Sequence, residues 1–228
     1  MENENQFNNP QSPKGSIDWG GDVQRFFAED LKDMFVNTIM RPVNGVQKWL
    51  TETRSKSIVN PLCMIVLSFI LATMIPFLFI LMKYGSGVAS FGDCIVNYGL
   101  LTVFYAVFVT IFMFIFLAIK QKPDIIFAFR NAAIHVFLLT IAIIVISFIV
   151  LIFGIESLFE FNLMGEVKFG GMLVLLVFVY SISLGISGVR QVLKACSPND
   201  EKGMYSWYIA PLVIVLSLWL SFLIIGSM

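Results

Sequence analysis

Five apolar runs govern what this chain can fold into. They lie at residues 62–82, 95–119, 132–153, 170–189 and 207–226, and none contains an Asp, Glu, Lys or Arg. A helix rises about 1.5 Å per residue, so about 20 residues cross the roughly 30 Å hydrocarbon core of a bilayer. Inside that core every backbone polar group must be bonded within the protein, which separate runs of this length achieve as helices. Charged residues make up 13% of the chain and hydrophobic residues 58%, whereas soluble domains are about 25% charged. A soluble fold of 228 residues could not hide that much apolar surface, so the excess faces lipid. The fold class is an all-α polytopic membrane helix bundle with five transmembrane helices and an amphipathic N-terminal cytoplasmic helix.

Three regions follow from the change in character along the chain. Residues 1–18, rich in Asn, Gln, Pro, Ser and Gly, read as a disordered polar tail. Residues 19–56 read as an amphipathic cytoplasmic or interfacial segment. There Val23, Phe26, Phe27, Leu31, Met34, Phe35 and Ile39 recur at three- and four-residue spacing, with Arg25, Glu29, Lys32 and Asp33 mostly on the other face. Pro42 ends or kinks that helix, and Val43, Val46, Trp49 and Leu50 repeat the pattern. Two placements stand for this segment: flat on the membrane surface, or packed against the protein's own cytoplasmic parts. In the first, Phe26, Phe27, Phe35 and Trp49 are membrane-interface residues, joined by Trp207 at the start of the fifth run. Residues 57–228 form the five-helix membrane domain. No cleavable signal is expected, because the first apolar run starts too late for one.

Charge sets the expected orientation. Thirteen of the 15 Lys and Arg residues lie in the N-terminal segment, the second-to-third connection (Lys120, Lys122, Arg130) and the fourth-to-fifth (Arg190, Lys194, Lys202). Only Lys83 and Lys168 lie on the other side. The positive-inside rule then places the N-terminus in the cytoplasm and the C-terminus outside or in a lumen. The membrane is the inner membrane if the source is bacterial, and that of the endoplasmic reticulum or Golgi if it is eukaryotic. Formal net charge is zero, so nothing points to nucleic acid as a partner.

The chemistry-bearing residues are few. Cys63, Cys94 and Cys196 are far apart and show no zinc or redox spacing. No paired carboxylates, HExxH, GxSxG or Gly-rich phosphate loop occurs in a supporting context, so neither enzymatic activity nor a cofactor or metal is expected. His135 is the single histidine. It stands in the first turns of the third run as a possible polar functional residue, and a packing and hydrogen-bonding role is the plainer reading. Charge-free spans weigh against ion- or proton-coupled transport. Pro76, inside the first run, is expected to kink its helix, whereas Pro61 and Pro211 read as first-turn prolines. In the fourth run Ser181, Gly185 and Gly188 mark a small-residue helix-packing stripe; a homo-oligomer contact is its alternative use. Glu156, Glu160 and Glu166 in the outer connection, and Asp124 with Arg130 in the inner one, read as ordinary solvated charge.

The amphipathic lead-in ending in RPVNGVQKWL, followed by SIVNPLCMIVLSFILATMIPFLF and four more runs, resembles the Yip family of Ypt/Rab-GTPase-interacting membrane proteins. FAFRNAAIHVFLLTI resembles the start of that family's third helix, with Ile134, His135 and Leu139 where a Gly-Tyr pair and a Pro are often seen. SLGISGVRQVLKACSPNDEKG resembles its fourth helix and the basic turn after it. The resemblance covers about residues 30–226 and implies a cytoplasmic N-terminal region, five membrane helices and no catalytic site. The Asp-Leu-Tyr-Gly-Pro stretch of eukaryotic members is absent, which implies a divergent member and favours a bacterial one. Two functions are then expected. The first is a non-enzymatic scaffold that organises membrane or recruits membrane or cytoplasmic proteins through residues 19–56. The alternative is a transporter or permeability protein for a neutral or lipid-like small molecule, using Pro76, the small-residue helix and hydroxyls such as Thr102, Thr110 and Thr140. The lipid bilayer is a partner in both.

Overall fold

The computed structural model describes residues 19–40, 58–85, 87, 90–119, 124–154, 169–196 and 204–228. These residues are helical almost throughout. α1 (Trp19–Arg25) runs through a π turn (Phe26–Asp30) into α2 (Leu31–Met40). Five long helices follow: α3 (Val59–Tyr84), α4 (Phe91–Ile119), α5 (Ile125–Phe153), α6 (Phe169–Cys196) and α7 (Met204–Ile225). Each contains a window long and apolar enough to cross a membrane. The protein is a polytopic helical membrane protein. The tail at 1–18, the stretch containing Trp49, and Glu156, Glu160 and Glu166 lie outside the described residues.

The helices extend past the apolar runs because their polar ends remain helical. α5 starts seven residues before its run, with Asp124 as its N-cap accepting from the Phe127 N–H at 2.9 Å. Arg130 is therefore not in a solvated connection. It sits in the second turn of α5 and is 6% exposed. α7 starts at Met204, so Pro211 is an interior proline and leaves the Trp207 carbonyl without its intrahelical donor. Pro76 lies within the unbroken α3, where the Ala72 carbonyl is freed in the same way.

α5 is the hub. It packs against α3, α4 and α6, while α7 closes the ring between α4 and α6. The outward stripes recur at helical spacing, as in Leu62, Val66, Ile70 and Met74 of α3 or Val107, Ile111 and Ile115 of α4. Most membrane hydroxyls are satisfied locally. Thr73, Thr110, Thr140, Ser147, Ser181 and Ser221 each donate to the carbonyl four residues back, at 2.6–2.9 Å.

The end of the bundle at which α3, α5 and α7 begin is called lower below. It is densely packed by Met64, Met113, Leu117, Ile134 and Leu193. Helix 19–40 docks here against α3, burying Phe26 and Met34 in the same cluster. Asn60 Nδ2 donates to the buried Asp30 carboxylate at 2.8 Å, and Arg25 lies 3.7 Å from it. Of the residues expected at the membrane interface, Phe26 is instead 0% exposed, whereas Phe27 and Phe35 are 53% and 49% exposed. Phe26, Asp30 and Met34 follow at four-residue spacing and form the face that docks on α3, with Phe27 and Phe35 beside it. The Phe35 ring meets Phe137 of α5 edge-on at 6.0 Å, level with the apolar run.

At the upper end, Lys83 of α3 donates to the carbonyls of Val150 (3.2 Å) and Leu151 of α5. A cation bonded to the last carbonyls of a helix satisfies orphan acceptors and opposes the negative end of its dipole. α5 stops at Gly154, whose φ of +94° suits glycine.

Candidate functional site

The described helices enclose a cavity of about 350 Å³. Its wall draws on all five long helices: Phe79 and Ile80 of α3, Tyr98 and Tyr105 of α4, Leu138 and Ile146 of α5, Ile182 of α6, and Leu218 of α7. It occurs because lower and upper halves are packed differently. Below it the helices are filled by the large side chains named above. In the upper half the facing positions on α5 and α6 are small, Ala142, Ser181 and Gly185, and the ring of helices is not filled.

Along α5 the lining runs from His135 to Leu151, a rise of about 24 Å at 1.5 Å per residue. The cavity is a narrow slot along the bundle. It reaches the surface where Asn97, Phe178 and Phe222 are exposed, and its floor lies at His135. Among the described residues no Asp, Glu, Lys or Arg lines it. The hydroxyls of Ser147 and Ser181 already donate to Ile143 and Val177 carbonyls.

His135 is different. It is 2% exposed, and among the described residues neither Nδ1 nor Nε2 has a hydrogen-bond partner. A buried polar group without a partner costs about 1–3 kcal/mol. Other buried atoms share that condition, among them Arg130 Nε, Ser68 Oγ and both amide atoms of Asn131, but those side chains do not line the cavity. The imidazole is held against α6. A Cβ on Gly188 would lie 3.0 Å from His135 Cε1, so glycine there lets the ring approach α6 closely.

The small-residue stripe of α6 is divided between two tasks. Gly185 faces Ile214 of α7, where a Cβ would make ordinary contact at 3.4 Å, and Gly188 faces His135. Ser181 faces the cavity. Trp207 is exposed on the outside of α7, where the Arg190 guanidinium stacks 3.6 Å from its ring centre. Asp93 is exposed and forms a reciprocal capping box with Ser90. Among the described residues no three His, Cys, Asp or Glu side chains are grouped to hold a metal ion.

One close approach was not visible in the sequence. A Cβ on Gly99 of α4 would fall 2.7 Å from the Phe69 ring and closer still to Thr73 Oγ1 of α3. Gly99 sits in a π turn (Ile95–Gly99), and its carbonyl accepts from Thr102 Oγ1 at 2.7 Å. No protein family, curated protein or solved structure matches the chain.

Proposed function

We propose that this membrane protein binds a neutral, lipid-like molecule between its helices, as a carrier or permeability protein, without catalysing a reaction. The slot of about 350 Å³ carries this reading. It falls at the lower end of the usual range for small-molecule sites, about 300–1,000 Å³, and has their character of apolar walls with a few polar groups. A bundle whose task was only to anchor a cytoplasmic segment would have no need to leave its centre unfilled, since each unfilled volume forfeits packing energy. A mostly apolar lining without Asp, Glu, Lys or Arg among the described residues suits a neutral ligand better than a bare ion.

Reconstitution into liposomes tests the reading. Neutral amphiphiles and hydrocarbons of graded chain length are the substrates, and binding and flux are both measured. Ala142→Phe, which places a ring in the slot, is expected to abolish binding while the protein keeps its helical content and monodispersity. Undiminished binding in that variant would refute the assignment.

A second reading is supported by the helix at 19–40. Trp19, Phe27, Phe35 and Val36 remain exposed after docking, and an exposed aromatic row near the membrane suits lipid contact or partner recruitment. The Yip-like segments favour this scaffold role, and the Lys/Arg distribution favours a cytoplasmic location for it. Pull-down with and without residues 1–52 tests it: loss of partners supports recruitment, and full retention counts against it.

A further inference from the structure

We propose that a hydrocarbon chain of a neutral membrane lipid enters the slot sideways from the upper leaflet, through a seam between α6 and α7, and leaves its polar end at the upper rim. The inference rests on the cavity reading above and adds the ligand's source, its route and its orientation. The seam shows as a gradient of exposure along the two helix faces that line the slot. On α7 that face carries Ile214, Leu218 and Phe222, at four-residue spacing. They are 1%, 7% and 49% exposed, rising towards the upper end. On α6 Gly185 is buried against Ile214, Ser181 and Ile182 are half-buried, and Phe178 is 37% exposed. The two helices therefore touch at Gly185 and Ile214 and part above that level. Among the described residues none between Gly170 and Gly185 is buried. α7 is not loose at the same height, because Ser217 and Ser221 on its other side are buried. The opening is thus on the α6 side of α7.

The depth of the seam decides what stands outside it. Phe178 lies about 12 Å along α6 from the start of the fourth apolar run, and Phe222 about 6 Å before the end of the fifth. At that depth in the hydrocarbon core the neighbours are acyl chains and not water. A chain that slides between Phe178 and Phe222 passes from one apolar surrounding to another and has no hydration to shed. Inside, it fills volume that the bundle leaves open and gains dispersion contacts there. Orientation follows from the source. Lipids of the upper leaflet hold their polar ends at the upper surface, and entering head first would take a polar group through hydrocarbon at a cost of about 2–7 kcal/mol. The lining agrees with this. Tyr84, Asn97 and Tyr98 stand in its upper part, with Asn97 exposed, and side chains of these types pair with hydroxyl, ester or amide groups. At the floor the ring nitrogens of His135 are covered, so they offer a polar head no hydrogen bond.

The test uses the full chain in liposomes containing one of two photoreactive diacylglycerols, with the reactive group near the head or at the end of one chain. The chain-end probe is expected to label Leu138, Leu139 or Ile143 inside the slot, and the near-head probe to label Tyr84, Asn97 or Tyr98. The chain-end probe also labels Ile70 and Met74 on the outside of α3, which meet lipid whatever the seam does and serve as the internal standard. Phe178→Cys with Phe222→Cys, in a chain otherwise free of cysteine, is then bridged by a cleavable thiol reagent. Closing the bridge is expected to remove the slot labelling and spare that of Ile70, and cleaving it to restore the slot labelling. Slot labelling that persists with the bridge closed would overturn the route, and exchanged labelling positions would overturn the orientation. A bridge that forms only between two chains would show the seam covered by a second copy and overturn the inference. If no probe labels the slot while the neutral amphiphiles above still bind and Ala142→Phe abolishes that binding, this inference fails and the cavity reading stands. If nothing binds, both fail. If the double-cysteine chain does not fold, the two labelling patterns in the unaltered chain decide: slot labelling from the chain end alone supports the inference, and its absence or exchange overturns it.

Discussion

Gly99→Ala is the sharpest test of the packing. The new Cβ would lie 2.7 Å from Phe69 Cε2 and nearer still to Thr73 Oγ1. Neither neighbour can retreat easily: Thr73 is 2% exposed with its hydroxyl bonded to the Phe69 carbonyl at 2.8 Å, and Phe69 lies beside it on α3. Overpacking by one methyl group costs about 1–3 kcal/mol, and contacts this short put the cost at the upper part of that range. Alanine returns up to about 1 kcal/mol of helix propensity. The net loss is about 1–2 kcal/mol, roughly a five- to thirtyfold shift in the unfolding equilibrium. The assay is reversible unfolding in mixed micelles, followed by circular dichroism. Gly92→Ala is the control, since a Cβ there meets only Ser90 Oγ at 3.5 Å, and it should be neutral or slightly stabilising. Thr73→Ala in the Gly99→Ala background should recover part of the loss, giving a measurable coupling energy. If Gly99→Ala and Gly92→Ala unfold alike, and no coupling to Thr73 is found, α3 and α4 do not meet as described.

Three further outcomes follow from other contacts. Asn60→Ala removes the hydrogen bond to the buried Asp30 carboxylate and leaves Arg25 beside it at 3.7 Å. It should cost about 1–3 kcal/mol of docking energy and expose 19–40 to protease while the five long helices stay resistant. Lys83→Met removes the cation from the last carbonyls of α5 and should speed amide exchange at residues 150–154, with a cost of about 0.3–2 kcal/mol that Lys83→Arg largely avoids. Trp207→Leu removes the ring under Arg190 and should lower stability by about 0.5–2 kcal/mol, whereas Trp207→Phe should lose less. In each case an unchanged readout counts against the contact named.

The five spans, their order and the membrane class were legible because hydropathy over 20 residues leaves few alternatives. Helix ends were not. Arg130, Arg190 and Lys194 read as markers of connections, yet the helices run through them, since a charge ends an apolar run without ending helical geometry. Phe26 was grouped with Phe27 and Phe35 because all three lie on one broad apolar face; which part of that face docks on α3 is set by the assembled bundle. Gly185 and Gly188 were legible as close-packing positions from their spacing with Ser181, but which helix each met was not. Gly99 stood alone in its run, and only the nearness of α3 gives it meaning. His135 could be singled out as the lone histidine; that it forms the floor of a slot depends on five helices leaving their centre open, which is a property of the assembled bundle and of no segment by itself.

The asymmetry between the two halves bears on which mode of action the bundle can support. Below His135 the centre is filled by Met64, Met113, Leu117, Ile134 and Leu193, and helix 19–40 adds Phe26 and Met34 to the same cluster. Close-packed interiors change between discrete arrangements and do not stretch continuously. Passage of a molecule across the whole bundle therefore requires that cluster to separate, and residues 19–40 must move with it because two of their side chains belong to it. Binding from the upper side alone requires no such rearrangement. The two modes are separable by one measurement. A disulfide between cysteines placed at Asp30 and Asn60, in a chain otherwise free of cysteine, should leave ligand binding unchanged in both. It should stop flux if the slot is the open half of a transport path. Flux that persists with residues 19–40 locked would mean that molecules cross without parting the lower cluster, and the slot would then not be their route.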